Sequence, residues 1–363
     1  MHFDLSADQT DLRDAAAALL GDLAAPERVR KVVDGEERWD RELWRALVDQ
    51  GWLALEVPED RGGLGLGAVE VAVIAEQVGR YLAPAPVLDT ILALGAVGAA
   101  EKSGDLGQWR DRLVGGEAVG CVSVAEGSLV ASRDAAAWRV HGRAGAPVVA
   151  APIADLAVVA AAGDEPGLYA VDISDLRPPA EPAMDRTRAL GWLELDGAPA
   201  ARLGGREATE RLVDRGATFA SAELLGTAER MMEESVAYAT EREQFGRPIG
   251  SFQAVKHHCA DMLVDVEGMR SATWWAAWCV SVDDPERSVA ASTAKIWCSD
   301  AGRRVTESAL QVHGGIGFTW EHDVHLYLKR AHLTSLQFGD AAHHRRRLAA
   351  QLQRRVEAGD RVV

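Results

Sequence analysis

The chain has 363 residues, a hydrophobic fraction of 48% and a formal charge of −16. That length allows two or three domains around a sizeable core. The acidic balance argues against nucleic acid and anionic membranes as partners, because both call for basic patches.

Cysteine usage points the same way. Cys121, Cys259, Cys279 and Cys298 show no metal-type spacing with one another or with histidine, so no metal site is expected. Three of them stand among apolar neighbours in helical patterns, which predicts buried, reduced thiols. Neither a cationic-then-apolar leader nor an apolar run of transmembrane length is found. A cytoplasmic protein is expected.

In chain order, residues 2–33 read as one helix, with Ser6 as N-cap before Leu12, Leu19, Leu20 and Leu23. A second helix covers 41–48 and ends at Gly51. The run Gly62-Gly63-Leu64-Gly65-Leu66-Gly67 follows no clear strand and precedes no lysine, so it reads as a turn and not as a phosphate loop. It leads into a helix over 69–79. Pro84 and Pro86 end that helix, and another covers 88–99. Residues 1–117 are therefore expected to form a helical domain.

Near residue 118 the pattern changes to short valine-rich runs at 119–124, 128–132, 137–141, 155–161 and 167–171, separated by Gly, Pro and Asp. These predict a small β-barrel or sandwich over 118–204, with Pro178, Pro179 and Pro182 in a loop. From 205 to 363 the helical period returns and is sustained. Long helices joined by short loops predict an antiparallel four-helix bundle. The fold class is α+β, mostly α.

Two corners in that bundle carry chemistry. The first breaks two helices at Gly246, Pro248 and Gly250, with Arg242 just before the break and Gln253 just after it, beside Phe245 and Phe252. An arginine fork matches a phosphate bidentately, although a plain helix-helix corner is the first reading of so short a motif. In the second, Leu310-Gln311-Val312-His313-Gly314-Gly315-Ile316-Gly317-Phe318-Thr319, a helix ends in glycines. Bare backbone at Gly314 and Gly315 can approach a ligand closely, or the glycines simply cap the helix. His313 reads either as a packed, hydrogen-bonded ring or as a site residue.

With these corners in place the chain resembles the acyl-CoA dehydrogenase family over nearly its whole length. The anchors are Tyr238-Ala239-Thr240-Glu241-Arg242-Glu243-Gln244-Phe245-Gly246-Arg247-Pro248-Ile249, Phe252-Gln253 and Gln311-Val312-His313-Gly314-Gly315. Val57-Pro58-Glu59, the Gly62 to Gly65 run and Glu76 to Gly79 add support. The resemblance implies FAD, lying between the β domain and the bundle and completed by a neighbouring subunit. Arg242 matches the arginine that binds the FAD diphosphate across the dimer interface, Gln244 and Phe245 match residues lining that site, and Gln253 matches a polar contact to the cofactor. Gln311, Val312, His313, Gly314 and Gly315 match the turn that holds the adenosine end. The implied partners are an acyl-CoA thioester, an electron-transfer acceptor and further chains in a homo- or hetero-oligomer, dimer or tetramer.

The sequence departs from the family pattern in two places. The β-domain turn Ala125-Glu126-Gly127-Ser128 is shortened, and Pro147-Val148-Val149 lacks the aromatic of the segment that covers the flavin. The family's catalytic glutamate is missing. Counting from Gln311, its position falls on Phe338 before Gly339; counting back from Arg242, the alternative position falls on Gly216. Asp340 is the nearest carboxylate, two residues on and with a shorter side chain, and it reads first as a helix N-cap. The resemblance is therefore to the subunit lacking the glutamate in bacterial two-subunit enzymes acting on sterol or fatty-acyl thioesters. The alternatives are a homo-oligomeric flavoenzyme using Asp340 or no protein base, and a non-catalytic binding or scaffolding subunit.

Overall fold

The computed structural model describes residues 4–100, 106–134 and 137–359. By compactness the chain forms two units, one of Arg28–Gly67 and Pro84–Gly216, the other of Met1–Glu27, Ala68–Ala83 and Ala217–Val363.

Where one helix was expected over 2–33 there are two, α1 (Ala7–Leu23) and α2 (Pro26–Asp34), with residues 2 and 3 outside the described residues. Pro26 has no N–H to give and a fixed φ, so it starts a helix and cannot continue one. Ser6 begins α1 through a reciprocal cap with Gln9: its hydroxyl accepts from Gln9 N at 3.2 Å, and its N–H donates to Gln9 Oε1 at 2.9 Å. Next come α3 (Arg41–Asp49), α4 (Ala68–Arg80), α5 (Val87–Ala99) and α6 (Gly107–Val114).

In the first unit the strands are β1 (Gly120–Ser123), β2 (Val130–Asp134), β3 (Ala137–Arg143), β4 (Val148–Val149), β5 (Leu156–Gly163), β6 (Gly167–Asp172), β7 (Leu190–Gly191) and β8 (Glu194–Gly204). Pairing runs β5-β2-β3-β8-β6 and returns to β5, so the sheet closes on itself as a small barrel. β1 joins β5 in parallel, and β4 pairs with β7 in a separate two-stranded ladder. β8 was not expected from the sequence: Gly197 and Pro199 weaken its strand signal, and its pairing with β3 and β6 makes it a strand. The apolar helix α5 packs on β1, where Gly120 N donates to Thr90 Oγ1 at 3.2 Å.

The second unit holds α7 (Arg206–Glu241) from Ala217 onward, the short strands β9 (Glu243–Gln244) and β10 (Arg247–Pro248), α8 (Gln253–Ser281), α9 (Arg287–His313), α10 (Val324–Leu336) and α11 (Ala341–Ala358). Leu224, Leu225, Met262, Val266, Met269, Cys298 and Val305 form its core. α4 lies on α7 with the two backbones in contact. A Cβ at Gly79 would stand 1.9 Å from Glu223 O, and one at Gly226 1.8 Å from Glu76 O, so both positions require glycine.

That close crossing seals Glu76, which is 5% exposed, beside Glu229, Arg270, Arg80 and Arg13. Burial first, and the Glu229 carboxylate second, raise its pKa to about 7. A folded-state pKa above the unfolded 4.5 means the folded chain holds this proton more tightly, so stability is greatest below 4.5 and falls as pH rises through 7. The loss is expected to be on the order of 3 kcal/mol for a shift of this size. Denaturant melts at pH 5 and pH 8 check this: Glu76→Gln should remove most of the difference, and an unchanged slope in that variant would refute the assignment.

Candidate functional site

α7 gives way to the first corner through a tight hairpin. Arg242 N donates to Tyr238 O at 2.8 Å, and Ile249 N donates to Arg242 O at 2.7 Å. Phe245 (φ 54°) and Gly246 (φ 76°) make the two-residue turn between β9 and β10, and positive φ at both positions is the hairpin geometry that matches strand twist. A bulky residue in that conformation is strained, and Phe245 is also 92% exposed. Phe245 meets Phe252 edge-on at 6.0 Å, and the Arg247 guanidinium covers Phe252 at 4.1 Å. Arg242, Gln244 and Gln253 are exposed, and among the described residues no side chain pairs with the Arg242 guanidinium.

The second corner stands against the first. α9 ends at His313, and Gly314 turns the chain with φ 63° and ψ −141°. A Cβ at Gly314 or Gly315 would meet nothing within 4 Å, so both present open backbone. The His313 ring stacks on Tyr238 of α7 at 4.6 Å, and this contact brings the two corners together. His313 Nδ1–H donates to Ala309 O at 2.8 Å, and burial lowers the pKa of the ring, so it is neutral at pH 7. Val312 is buried, whereas Gln311, Ile316, Phe318 and Trp320 are exposed.

Neither usual base position offers a proton acceptor. Phe338 sits at φ 56° in the turn between α10 and α11, and Gly216 is buried in α7. Asp340 caps α11, its Oδ1 accepting from His343 N at 2.7 Å, and that bond holds the carboxyl below the usual range. A carboxylate so engaged is a poor base.

The altered β-domain segments pack on their own chain. A Cβ at Gly145 would lie 1.8 Å from Glu126 O, and one at Gly127 2.4 Å from Gly145 N, so the 125–128 turn lies flat on the end of β3. Val148 and Val149 are buried and pair with Gly191 and Leu190.

Among the buried polar residues that the sequence did not mark as buried are Lys295 of α9 and His344 of α11. The signal for Lys295 was a lysine on the apolar face of Ala291, Ala294 and Cys298. Among the described residues no His, Cys, Asp and Glu group is arranged to hold a metal ion, and no helix is long and apolar enough to cross a membrane.

The acyl-CoA dehydrogenase N-terminal domain family matches residues 6–104, and the C-terminal domain family matches residues 204–353. Acyl-CoA dehydrogenase IpdE2 of Mycolicibacterium smegmatis is 36% identical over 96% of this chain and 100% of its own length. The chain belongs to the acyl-CoA dehydrogenase family. Among solved structures, the ChsE4-ChsE5 complex of Mycobacterium tuberculosis matches with a TM-score of 0.89 and 32% identity, over 97% of this chain and 99% of the matched one. A variant of the Tcur3481-Tcur3483 steroid acyl-CoA dehydrogenase matches with a TM-score of 0.87 and 31% identity, over 96% and 99%. As a member of this family the chain is an FAD-dependent oxidoreductase acting on acyl-CoA. The Arg242 corner fits that cofactor: an exposed guanidinium that pairs with no side chain among the described residues suits a diphosphate, and two open glycines suit a flat ring.

Proposed function

We propose that this chain is the base-lacking subunit of a two-chain acyl-CoA dehydrogenase that forms the α,β-double bond of an acyl thioester. The observation that carries this reading is the combination of an intact Arg242 corner with Phe338 and Gly216 at both base positions. Bound FAD supplies the hydride acceptor. Arg242 would grip the diphosphate, Gln244 and Gln253 would add polar contacts, and Phe245 would line the site from the hairpin tip. Gln311, Val312, His313 and the backbone of Gly314 and Gly315 hold the adenosine end. A carboxylate on the partner chain takes the α-proton, while Phe338 presents an apolar wall that excludes water. The two-component ChsE4-ChsE5 complex and the Tcur3481-Tcur3483 steroid enzyme support a second chain, and the steroid class of the latter supports a bulky acyl group. Use of Asp340 as base is disfavoured by its cap bond.

Arg242→Ala is expected to weaken FAD retention by roughly tenfold to a hundredfold, since a charge-assisted bidentate contact contributes about 1.5–3 kcal/mol. Flavin absorbance after gel filtration, with and without the candidate partner, measures it. Unchanged retention would remove Arg242 from the site, and a colourless protein in every assembly would favour the scaffolding alternative.

A further inference from the structure

The last turn of α10 and the connection from it to α11 are tied by side chains that have no solvent access. Lys295 Nζ donates to Thr334 O at 3.0 Å, to Ser335 O at 2.9 Å and to Ser299 Oγ at 3.0 Å. His344 Nε2 lies 2.9 Å from Phe338 O, and its Nδ1 lies 3.3 Å from Ser292 Oγ. Lys295, His344 and Ser292 are each 0% exposed. Between these ties Phe338 takes φ 56° and Gly339 φ 99°. Positive φ strains a bulky side chain, and at Phe338 the buried ties offset that strain.

We infer that Lys295 and His344 are positioning residues that hold the Leu336 to Asp340 turn as a fixed wall, with the Phe338 ring at a set place. Both bond backbone carbonyls, so the hold is indifferent to the side chain at 338 and explains how a bulky apolar residue keeps the strained geometry. Burial pushes the Lys295 ammonium down to about 7, so the interior disfavours its charge, and three polar contacts are what it gives in return. Leu336, beside the clamp, is 65% exposed, so its own side chain adds little packing to the hold. The inference rests on the proposed function only for what the wall faces.

The test uses the full chain without flavin, so its failure is separate from failure of the two-chain reading. Amide hydrogen exchange of residues 336–340 and the 19F spectrum of fluorophenylalanine-labelled protein, with the 338 signal assigned by Phe338→Leu, report the turn directly. In Lys295→Met the turn amides should exchange roughly tenfold faster or more, and the 338 signal should broaden, while α8 keeps its protection. His344→Leu should do the same, and His344→Gln, whose amide can donate to the same carbonyl, should restore the wild-type signal. If Lys295→Met does not fold, Lys295→Arg serves, and a displaced 338 signal is expected. Wild-type exchange and an unmoved signal in the folded Lys295 and His344→Leu variants would overturn the inference.

Discussion

Incubated alone with acyl-CoA thioesters under anaerobic conditions, this protein is expected to leave FAD oxidised, and reduction should require a second chain. General-base assistance contributes about 10²–10⁴-fold in rate. The two positions onto which the family resemblance places its carboxylate hold Phe338 and Gly216. Stopped-flow bleaching of the flavin is the measurement, with a partner whose glutamate is present or replaced. Activity that appears with the intact partner and vanishes with the replaced one is the expected pattern. Rapid bleaching by the lone chain would contradict it, and loss of that bleaching in Asp340→Asn would hand the role to Asp340 in spite of its cap bond to His343 N.

The second large effect concerns folding. Arg330 of α10 donates to Glu223 of α7 at 2.9 Å, with the two side chains 0% and 2% exposed. Removing one partner of such a pair strands a buried charge, which typically destabilises by about 3–5 kcal/mol. Replacing both by apolar groups of similar volume is often nearly neutral. Arg330→Met is therefore expected to lose several kcal/mol in chemical denaturation, and Arg330→Met with Glu223→Leu to recover most of it. A single variant as stable as the wild type would show that the pair contributes little.

Much of the candidate site was legible before any coordinates. The arginine, the glutamine and the glycines of both corners lie within short contiguous stretches, and their chemistry follows from residue type alone. The absence of a carboxylate at 338 and 216 is likewise a property of sequence. What could not be read was their meeting through the Tyr238–His313 stack, because those rings are far apart in the chain.

The division between local and tertiary information runs through the fold in the same way. Ser6 and Gln9 make their cap, Asp340 caps α11, and Pro26 starts a helix, all through neighbours a few residues away, so the sequence by itself determined them. Helical and valine-rich periods likewise determined the α+β class, because one-sided burial leaves a repeat of 3.6 or 2 in the chain. α10 shows the limit of that signal: its inward face carries Arg330, Thr334 and Ser335, polar types that leave no apolar stripe and are buried only because Glu223 and Lys295 meet them. β8 became a strand, and the barrel closed, only through pairing partners far away in sequence. Gly79 and Gly226 look like weak points in two helices until α4 and α7 touch. In each of these cases the deciding energy is a contact between distant segments: a buried charge finding its counter-charge, a backbone its ladder, or one helix another at glycine distance. Such contacts leave no period in the sequence, so only the tertiary structure decided them.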